Sequence, residues 1–375
     1  MRSRKNPCNR LTPAPHSGSP RVFIAALMFV LLAACSAAPT PEPTPTLIPL
    51  AKEVVFYDWE DDMPQSVLDA FTREYSVQVK YLVYESQEEA IDNMKAGGVY
   101  DVVVMESRFI PLLKQEGLLA NLNQRNLPNL KNISANFREL AYDPNNNYSI
   151  PYNWGTTGLV VRSDLVAEPV TRWSDLWDPR YAGRVGLWMG QQREVISLAL
   201  KSLGYSANSE NPQELEEALL RLNELKPNVI ALEEYDLTTS ADSMVSGRAV
   251  ISMGYAYDVM TGSEQNPAIE YVLPKEGALL WNDTFIIPTN SPSQYTAELF
   301  LNFLLRPEIN AKITNENLYA TTNEAAYPFI EPDILNNPVI FPPNEDLVHA
   351  ELILPLTPDG QRLYDEIWER FTTTP

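Results

Sequence analysis

Between residues 53 and 117 the chain alternates apolar runs with amphipathic segments. Three runs have the length and composition of buried or half-buried strands: Val54 to Tyr57, Val77 to Val83 and Asp101 to Met105. Two amphipathic helices are predicted between them, one with its apolar face at Val67, Leu68, Phe71 and Tyr75 and one from Gln87 to Ala96. Strands separated by helices predict a parallel sheet with right-handed crossovers, so this part of the chain is expected to form one α/β lobe.

Two local signals fix the expected helix starts. Asp62 is expected to cap the first helix, because Pro64 follows in what would be its first turn. Farther along, Asn211 is followed by Pro212 and then by Glu214, which is the pattern of a capped helix start.

A second alternation of strands and helices follows Pro151. The further predicted strands are Leu159 to Val161, Val185 to Trp188, Ala249 to Met253 and Ile269 to Leu273, and the further helices are Arg193 to Leu203, one from Asn211, and one from Gly360. The segment Thr284 to Ile287 has the pattern of a strand that returns to the first lobe. Two α/β lobes joined by crossing strands enclose a cleft, and such clefts bind ligands by hinge closure.

The first 34 residues have the composition of a secretory signal peptide. A basic region with five Arg and Lys residues precedes an apolar stretch from Val22 to Ala34, which is too short to span a bilayer comfortably. This stretch ends in Leu32-Ala33-Ala34-Cys35, which resembles the bacterial lipobox, where cleavage precedes a Cys that is then acylated. The alternative is an ordinary secretory signal that happens to contain a Cys.

The segment after the predicted cleavage site fits a tether. Residues 35–51 are rich in Pro and Thr and lack apolar periodicity, so they are expected to form an extended stalk. We therefore expect an extracytoplasmic protein that is attached to the membrane through lipid on Cys35 alone.

The charge and the residue inventory exclude several functions. Cleavage before Cys35 would leave 341 residues, enough for two domains, and would change the net charge from −21 to −26, because the signal carries five basic and no acidic residues. Such an acidic surface argues against a nucleic-acid partner and attracts cations. Cys8 would leave with the signal and Cys35 would carry lipid, so His349 would be the last His and no thiol would remain. We therefore expect no disulfide, no metal, no cofactor and no Cys- or His-based catalysis.

Several blocks of the sequence, in their order and spacing, carry a resemblance to a known family. These blocks are Phe56-Tyr57-Asp58-Trp59, Asp101-Val102-Val103-Val104, Asp143-Pro144-Asn145-Asn146-Asn147-Tyr148-Ser149-Ile150-Pro151-Tyr152, Arg193-Glu194-Val195, Pro274-Lys275-Glu276-Gly277 and Asn302-Phe303-Leu304-Leu305-Arg306-Pro307. Over residues 53–372 the chain resembles the spermidine/putrescine-binding proteins of bacterial polyamine ABC importers. The resemblance implies a type II periplasmic-binding fold, with two α/β lobes, a cleft between them and final helices packed on the second lobe.

The resemblance sets the expected lobes and partners. The first lobe is predicted to comprise residues 52–155 and 284–325, and the second residues 156–283 and 326–375. The expected protein is a monomer and not an enzyme, and it passes a polyamine to the permease subunits of an ABC importer.

The chemistry of a polyamine defines what the cleft must offer. Each buried ammonium group needs carboxylate or hydroxyl acceptors in place of water, and aromatic rings suit the methylenes and attract the cation. The resemblance implies these ligand-contacting residues: Trp59, Asp61, Glu194, Trp281, Asp283 and Tyr319, with Tyr255 near a position where the family has a Trp. Structural roles are the alternative: Trp59 in a core, Glu194 at a helix dipole, Trp281 and Asp283 on a crossing strand, and Asp61 with Asp62 in an exposed cap.

Two positions depart from the family pattern. Gln191 stands where an acid is common, and Arg108 stands where the family has an aromatic residue. Glu60 and Glu106 would compensate for the lost acid if they face inward. One carboxylate fewer and a nearby Arg predict a preference for an amine shorter or less charged than spermine.

Other functions remain open from the sequence alone. Asp61 and Glu194 across a cleft could act as glycosidase carboxylates. A chemosensory or adhesion role without transport is a second alternative. Within the binding class, an anionic cargo could use Arg108 and Arg193, although Arg193 is expected instead to orient Glu194. Ferric ion is disfavoured as a cargo, because its binding would require clustered Tyr and His ligands.

Overall fold

The computed structural model describes residues 48–60, 62–188, 190–233 and 237–373. The strands are β1 Glu53–Trp59, β2 Gln78–Tyr84, β3 Val102–Glu106, β4 Ser149–Arg162, β5 Val185–Trp188, β6 Val229–Glu233, β7 Ile251–Tyr255, β8 Ile269–Val272, β9 Leu279–Ile286, β10 Ala320–Thr321 and β11 Glu351–Leu352. The helices are α1 Gln65–Tyr75, α2 Gln87–Lys95, α3 Ile110–Gln115, α4 Gln192–Ser202, α5 Pro212–Leu225, α6 Leu237–Val245, α7 Ala256–Gln265, α8 Gln294–Leu304, α9 Pro307–Asn317, α10 Pro332–Leu335 and α11 Pro358–Thr373.

All the strands of the described residues belong to one mixed sheet. Its main order is β2-β1-β3-β9-β4-β7-β5-β6, with β8, β10 and β11 paired to the side of this path. β1 runs parallel to β2 and β3, and β5 runs parallel to β6 and β7. β9 is antiparallel to both β3 and β4. The predicted α/β class and the parallel pairing within each half are confirmed.

Two hydrophobic cores lie on this sheet and define two lobes. The first lobe comprises the elements packed around Phe56, Phe71 and Phe300. The second lobe comprises the elements packed around Leu198 and Leu219, which belong to a separate buried cluster.

The two central strands contribute to both cores. Ile150 of β4 and Phe285 of β9 lie in the first core, whereas Leu159 of β4 and Leu279 of β9 lie in the second. These strands therefore join the lobes, as predicted for a cleft protein, and the exact residue limits of each lobe stay a prediction.

The C-terminal segment divides between the lobes. In α11, Tyr364, Ile367 and Phe371 are buried in the second core, which agrees with the expected packing of the final helix. Upstream of it, Ala326 and Ile330 pack against Ala311 of α9 in a small separate cluster.

Two local predictions are settled by the structure. Asn211 caps α5 as predicted, since its Oδ1 accepts a hydrogen bond of 2.9 Å from the backbone N–H of Gln213. The predicted cap of α1 is wrong: the residue before the helix is Pro64, without a side-chain cap bond, and Asp62 is buried instead. Long-range packing has overridden the local capping signal at this position.

No helix among the described residues is long and apolar enough to cross a membrane. The predicted signal peptide, Cys35 and Asp61 lie outside the described residues.

Candidate ligand-binding site

Strand β9 presents two candidate residues on one face. Trp281 and Asp283 are two positions apart and so point to the same side, and Asn282 points to the other. The side chain of Asn282 is held there, because its Nδ2 donates to the carbonyl of Asn153 at 2.8 Å and its Oδ1 accepts from the hydroxyl of Tyr142 at 2.9 Å. These bonds fix the orientation of the strand between the lobes.

Asp283 faces a second acid across the sheet. In the antiparallel register of β3 and β9 it lies directly opposite Glu106, and both residues are buried. Like charges placed opposite each other destabilise a sheet. Burial raises the pKa of Asp283 well above its usual value, and the charges of Glu106 and Asp62 raise it further. Glu106 therefore faces inward, while Glu60 is exposed.

Two more buried aspartates lie close to Asp283. Asp58, at the end of β1, accepts hydrogen bonds from the backbone N–H of Trp59 at 2.8 Å and from the hydroxyl of Tyr81 at 3.4 Å. Burial raises its pKa well above the usual range, with the charges of Asp62 and Asp283 acting in the same direction.

Asp62 is short of hydrogen-bond partners. Its Oδ1 accepts from Nδ2 of Asn317 at 3.1 Å and of Asn153 at 3.4 Å, while its buried Oδ2 has no protein partner among the described residues. Burial raises the pKa of Asp62 to about 7. A buried carboxylate that lacks a cation is costly, so these aspartates would be stabilised by a positively charged ligand.

Aromatic rings border the acids. The ring of Trp281 lies edge-on to that of Tyr319, with centroids 5.5 Å apart, and to that of Tyr255, with centroids 6.3 Å apart. Tyr319 also approaches the ring of Tyr257 at 6.3 Å. Trp281 needs a glycine beside it, because a Cβ at Gly155 would clash with Cζ2 of the indole.

Trp59, the last residue of β1, contacts a different aromatic ring from those around Trp281. Its ring lies 4.6 Å from that of Tyr84, measured between centroids, and it packs against the first core and against a separate, smaller buried cluster that contains Tyr84 and Met105. Burial raises the pKa of Tyr84, and so do the charges of Asp58, Asp283 and Asp62, which shows that this ring pair lies near the aspartates.

The second lobe contributes Glu194, in the first turn of α4. Glu194 is 5% exposed, and its Oε2 is buried without a protein partner among the described residues. Burial raises the pKa of Glu194, whereas the positive charge of Arg108 acts in the opposite direction. Gln191 immediately precedes α4, is partly buried and makes no side-chain cap bond to the helix.

The expected role of Arg193 is wrong. Its guanidinium donates to Oγ of Ser197 at 3.0 Å, to the carbonyl of Ala207 at 2.9 Å and to Oδ1 of Asn208 at 2.8 Å, and it lies over the ring of Tyr364. Arg193 thus braces the second lobe and does not orient Glu194. Both terminal nitrogens of its guanidinium are engaged within the second lobe, and only its buried Nε has no protein partner among the described residues, which disfavours Arg193 as a cation for an anionic cargo.

The candidates from the sequence fall into three groups. Six of them border the buried acids through a ring contact or an electrostatic influence: Trp59, Glu194, Tyr255, Trp281, Asp283 and Tyr319. Gln191 lies beside α4, and Asp61 is outside the described residues. Asp58 and Asp62 also belong to this acidic group but were not among the candidates from the sequence, although an acid that ends a buried apolar strand, as Asp58 does, is a usable signal.

A separate surface pocket of about 510 Å³ lies at the C-terminal end of α4, and its lining includes Lys201, Ser202, Leu203, Gly204, Glu276 and Glu351. Nζ of Lys201 lies 2.7 Å from Oε1 of Glu351, and Glu276 accepts hydrogen bonds from the backbone N–H groups of Trp173 and Ser174. The pocket shares no residue with the acidic cluster.

Comparison with known proteins gives one consistent result. The model of the family described as bacterial extracellular solute-binding protein matches residues 66–342. The spermidine/putrescine-binding periplasmic protein of Escherichia coli (strain K12) is 34% identical over 299 residues, which cover 79% of this chain and 85% of that protein.

Solved structures of similar fold agree with these sequence matches. The spermidine/putrescine ABC transporter substrate-binding protein of Streptococcus pneumoniae, solved with calcium and HEPES, has a TM-score of 0.77 at 31% identity and covers 86% of this chain and 99% of that one. A Treponema pallidum lipoprotein, TpPotD, has a TM-score of 0.76 at 27% identity, with coverage of 85% and 99%.

Proposed function

The chain belongs to the bacterial extracellular solute-binding proteins, and we propose that its cargo is a polyamine of the putrescine or spermidine type. Members of this family bind and present solutes, which agrees with the expectation that the chain is not an enzyme. The observation that carries the cargo proposal is the group of buried aspartates, Asp58, Asp62 and Asp283, which have no ion pair within the described residues.

A polyamine meets the needs of this group. Its ammonium groups would supply positive charge and hydrogen-bond donors to the aspartates and to the unpartnered oxygens of Asp62 and Glu194. Its methylenes would lie against the rings of Trp281 and Tyr319, each of which adds about 0.5–2 kcal/mol where a cation faces it. The name of the relative at 34% identity, a spermidine/putrescine-binding protein, supports the same class of cargo.

Titration calorimetry on the protein from residue 36 tests the cargo directly. Putrescine, spermidine and spermine are titrated at one salt concentration, with butylamine as the singly charged control and glutamate as the anionic one. We expect saturable binding of at least one polyamine and much weaker binding of butylamine. Tight binding of glutamate, or no binding of any polyamine, would overturn the proposal.

We also propose a role in transport and a lipid anchor. The chain would deliver its cargo to the permease of an ABC importer, as a monomer held at the outer face of the membrane by lipid on Cys35. The lipobox-like Leu32-Ala33-Ala34-Cys35 supports the anchor, and so does the similar Treponema pallidum protein, which is a lipoprotein. An anchor with several acyl chains is sufficient for stable attachment.

Metabolic labelling with a fatty acid tests the anchor. The wild-type chain should take up the label and sediment with membranes, and Cys35→Ser should lose the label and appear in the soluble fraction. Equal labelling of both proteins would show that Cys35 is not the lipid site.

A further inference from the structure

The acidic site contains a cation that belongs to the chain itself. Arg108 lies in the short 3-10 turn Ser107–Phe109 that follows β3. Its Nε lies 2.7 Å from Oε2 of Glu106, and the two side chains are only 19% and 11% exposed. The guanidinium carbon also lies 4.5 Å from the centroid of the Phe109 ring, which holds the side chain on its other side.

This guanidinium acts on carboxylates of both lobes. Glu106 is its ion-pair partner, and Asp283 lies opposite Glu106 in the sheet register. Burial raises the pKa of both Asp283 and Glu194, and the charge of Arg108 opposes that rise in both cases. Burial would lower the pKa of Arg108 itself, but the charges of Glu106 and Glu194 outweigh it, so the guanidinium stays protonated.

The site is therefore uneven in charge. At the side of Glu106 and Glu194, one cation already balances one of two carboxylates. At the side of Asp58 and Asp62, no ion pair with a basic group is present in the described ranges. Asp283 belongs to both sides, because it lies opposite Glu106 in the sheet register and the charge of Asp62 raises its pKa.

Resting on the polyamine function proposed above, we propose that Arg108 occupies the place of one cationic group of a longer polyamine, so that the cleft selects a diamine over triamines and tetraamines. One end of the diamine pairs with Asp58, Asp62 and Asp283. The other end meets Oε2 of Glu194, which has no hydrogen-bond donor among the described residues. A third ammonium would have to approach Arg108 in a buried environment, where like charges repel strongly.

The test compares Arg108→Met with Arg108→Lys. Methionine keeps an unbranched apolar stem without the charge, and lysine keeps the charge as the matched control. Dissociation constants for putrescine and spermidine are measured on the full-length protein in detergent micelles at one salt concentration. We expect the wild type and Arg108→Lys to bind putrescine at least tenfold more tightly than spermidine, and Arg108→Met to reduce that ratio at least tenfold.

The ratio of the dissociation constants for spermidine and putrescine separates a role in specificity from a role in the fold. A residue that merely supports the fold would weaken both amines by the same factor, and an unchanged ratio in Arg108→Met would overturn the inference. A wild type that prefers spermidine would also overturn it, while leaving the polyamine function intact. If the wild type binds no amine at all, the function itself is wrong. Arg108→Gln is measured alongside, so that poor folding of one variant does not decide the outcome.

Discussion

Two kinds of buried aspartate lie in the first lobe, and the chain surrounds them differently. The carboxylate of Asp143 accepts hydrogen bonds of 2.9–3.1 Å from the backbone N–H groups of Asn147, Tyr148 and Ser149 and from the hydroxyl of Ser149. Asp62 is about as buried, yet within the described part of the chain it accepts only from two side-chain amides and one of its oxygens has no protein partner.

The difference separates an acid with a structural role from the acids that we propose bind the ligand. Asp143 is satisfied by its own loop, so its charge stabilises the turn that leads into β4. Asp58, Asp62 and Asp283 are brought together from β1, the segment before α1, and β9. Burial disfavours the charged form of each and raises its pKa, and the charge of Asp62 raises the pKa of Asp58 and Asp283 further. Buried acids with incomplete solvation shells are therefore better markers of the site than buried acids as such.

The largest expected effect separates binding from folding. Asp283→Asn should weaken polyamine binding by about 2–5 kcal/mol, because it removes one partner of a desolvated charge pair. It should leave the unliganded protein as stable or more so, since the repulsion with Glu106 is relieved. Asp143→Asn should instead lower the free energy of unfolding by about 1–3 kcal/mol, as donors lose their acceptor, with little change in affinity.

Calorimetry gives the affinities, and urea unfolding without ligand gives the stabilities. The comparison breaks down if Asp143→Asn loses as much affinity as Asp283→Asn while remaining folded.

Acidification should weaken binding next most strongly. The pKa of Asp62 is raised by burial to about 7 from an ordinary value of 3.8, so this group favours the unliganded fold below about pH 4, and that contribution is lost as the pH rises through 7. A cation binds the ionised form, so affinity should fall from pH 7 to pH 5 by up to about 1.4 kcal/mol per pH unit for each proton displaced.

Dissociation constants are measured from pH 5 to 8. Binding heats measured in two buffers of different ionisation enthalpy give the number of protons displaced. Asp62→Asn should flatten the profile. An affinity that does not change with pH would show that the aspartates are already ionised in the empty site.

Trp281→Ala should lose about 1–3 kcal/mol of affinity, from lost apolar contact and cation–π attraction. Trp281→Phe keeps a ring beside Tyr319 and should recover part of the loss. If Trp281→Ala binds every amine as tightly as the wild type, Trp281 is a core residue with a structural role only, as Asp143 has.

The smallest effect is expected at Gln191. Gln191→Glu adds a carboxylate at the start of α4 and should favour spermidine or spermine over putrescine by about 1 kcal/mol, the difference between a charged and a neutral hydrogen bond. The measurement is the ratio of the three dissociation constants at fixed salt. An unchanged ratio would show that Gln191 does not reach the ligand.

The sequence predicts the site best where local pattern and resemblance agree. The alternation Trp281-Asn282-Asp283 on a strand is enough to place the Trp and the Asp on one face, and β9 has that arrangement. The start of α4 likewise places Glu194 correctly in a first turn.

The prediction fails where distant contacts decide. Asp62 precedes Pro64 and so has the local pattern of a cap, but contacts with Asn153 and Asn317, far away in the chain, bury it. β4 extends from Ser149 to Arg162, although a short apolar run predicts only Leu159 to Val161. Its first half forms a strand because it is paired with β9 and β10. The sequence carries no local mark for either outcome.

Strands β4 and β9 span both hydrophobic cores, and β9 also carries Trp281 and Asp283. The wall of the cleft and the joint between the lobes are thus the same piece of sheet. If the lobes open by bending at these connecting strands, substitutions at Trp281 and Asp283 should change the rate of opening as well as the affinity. We therefore expect ligand preference and release rate to change together in variants of these two residues.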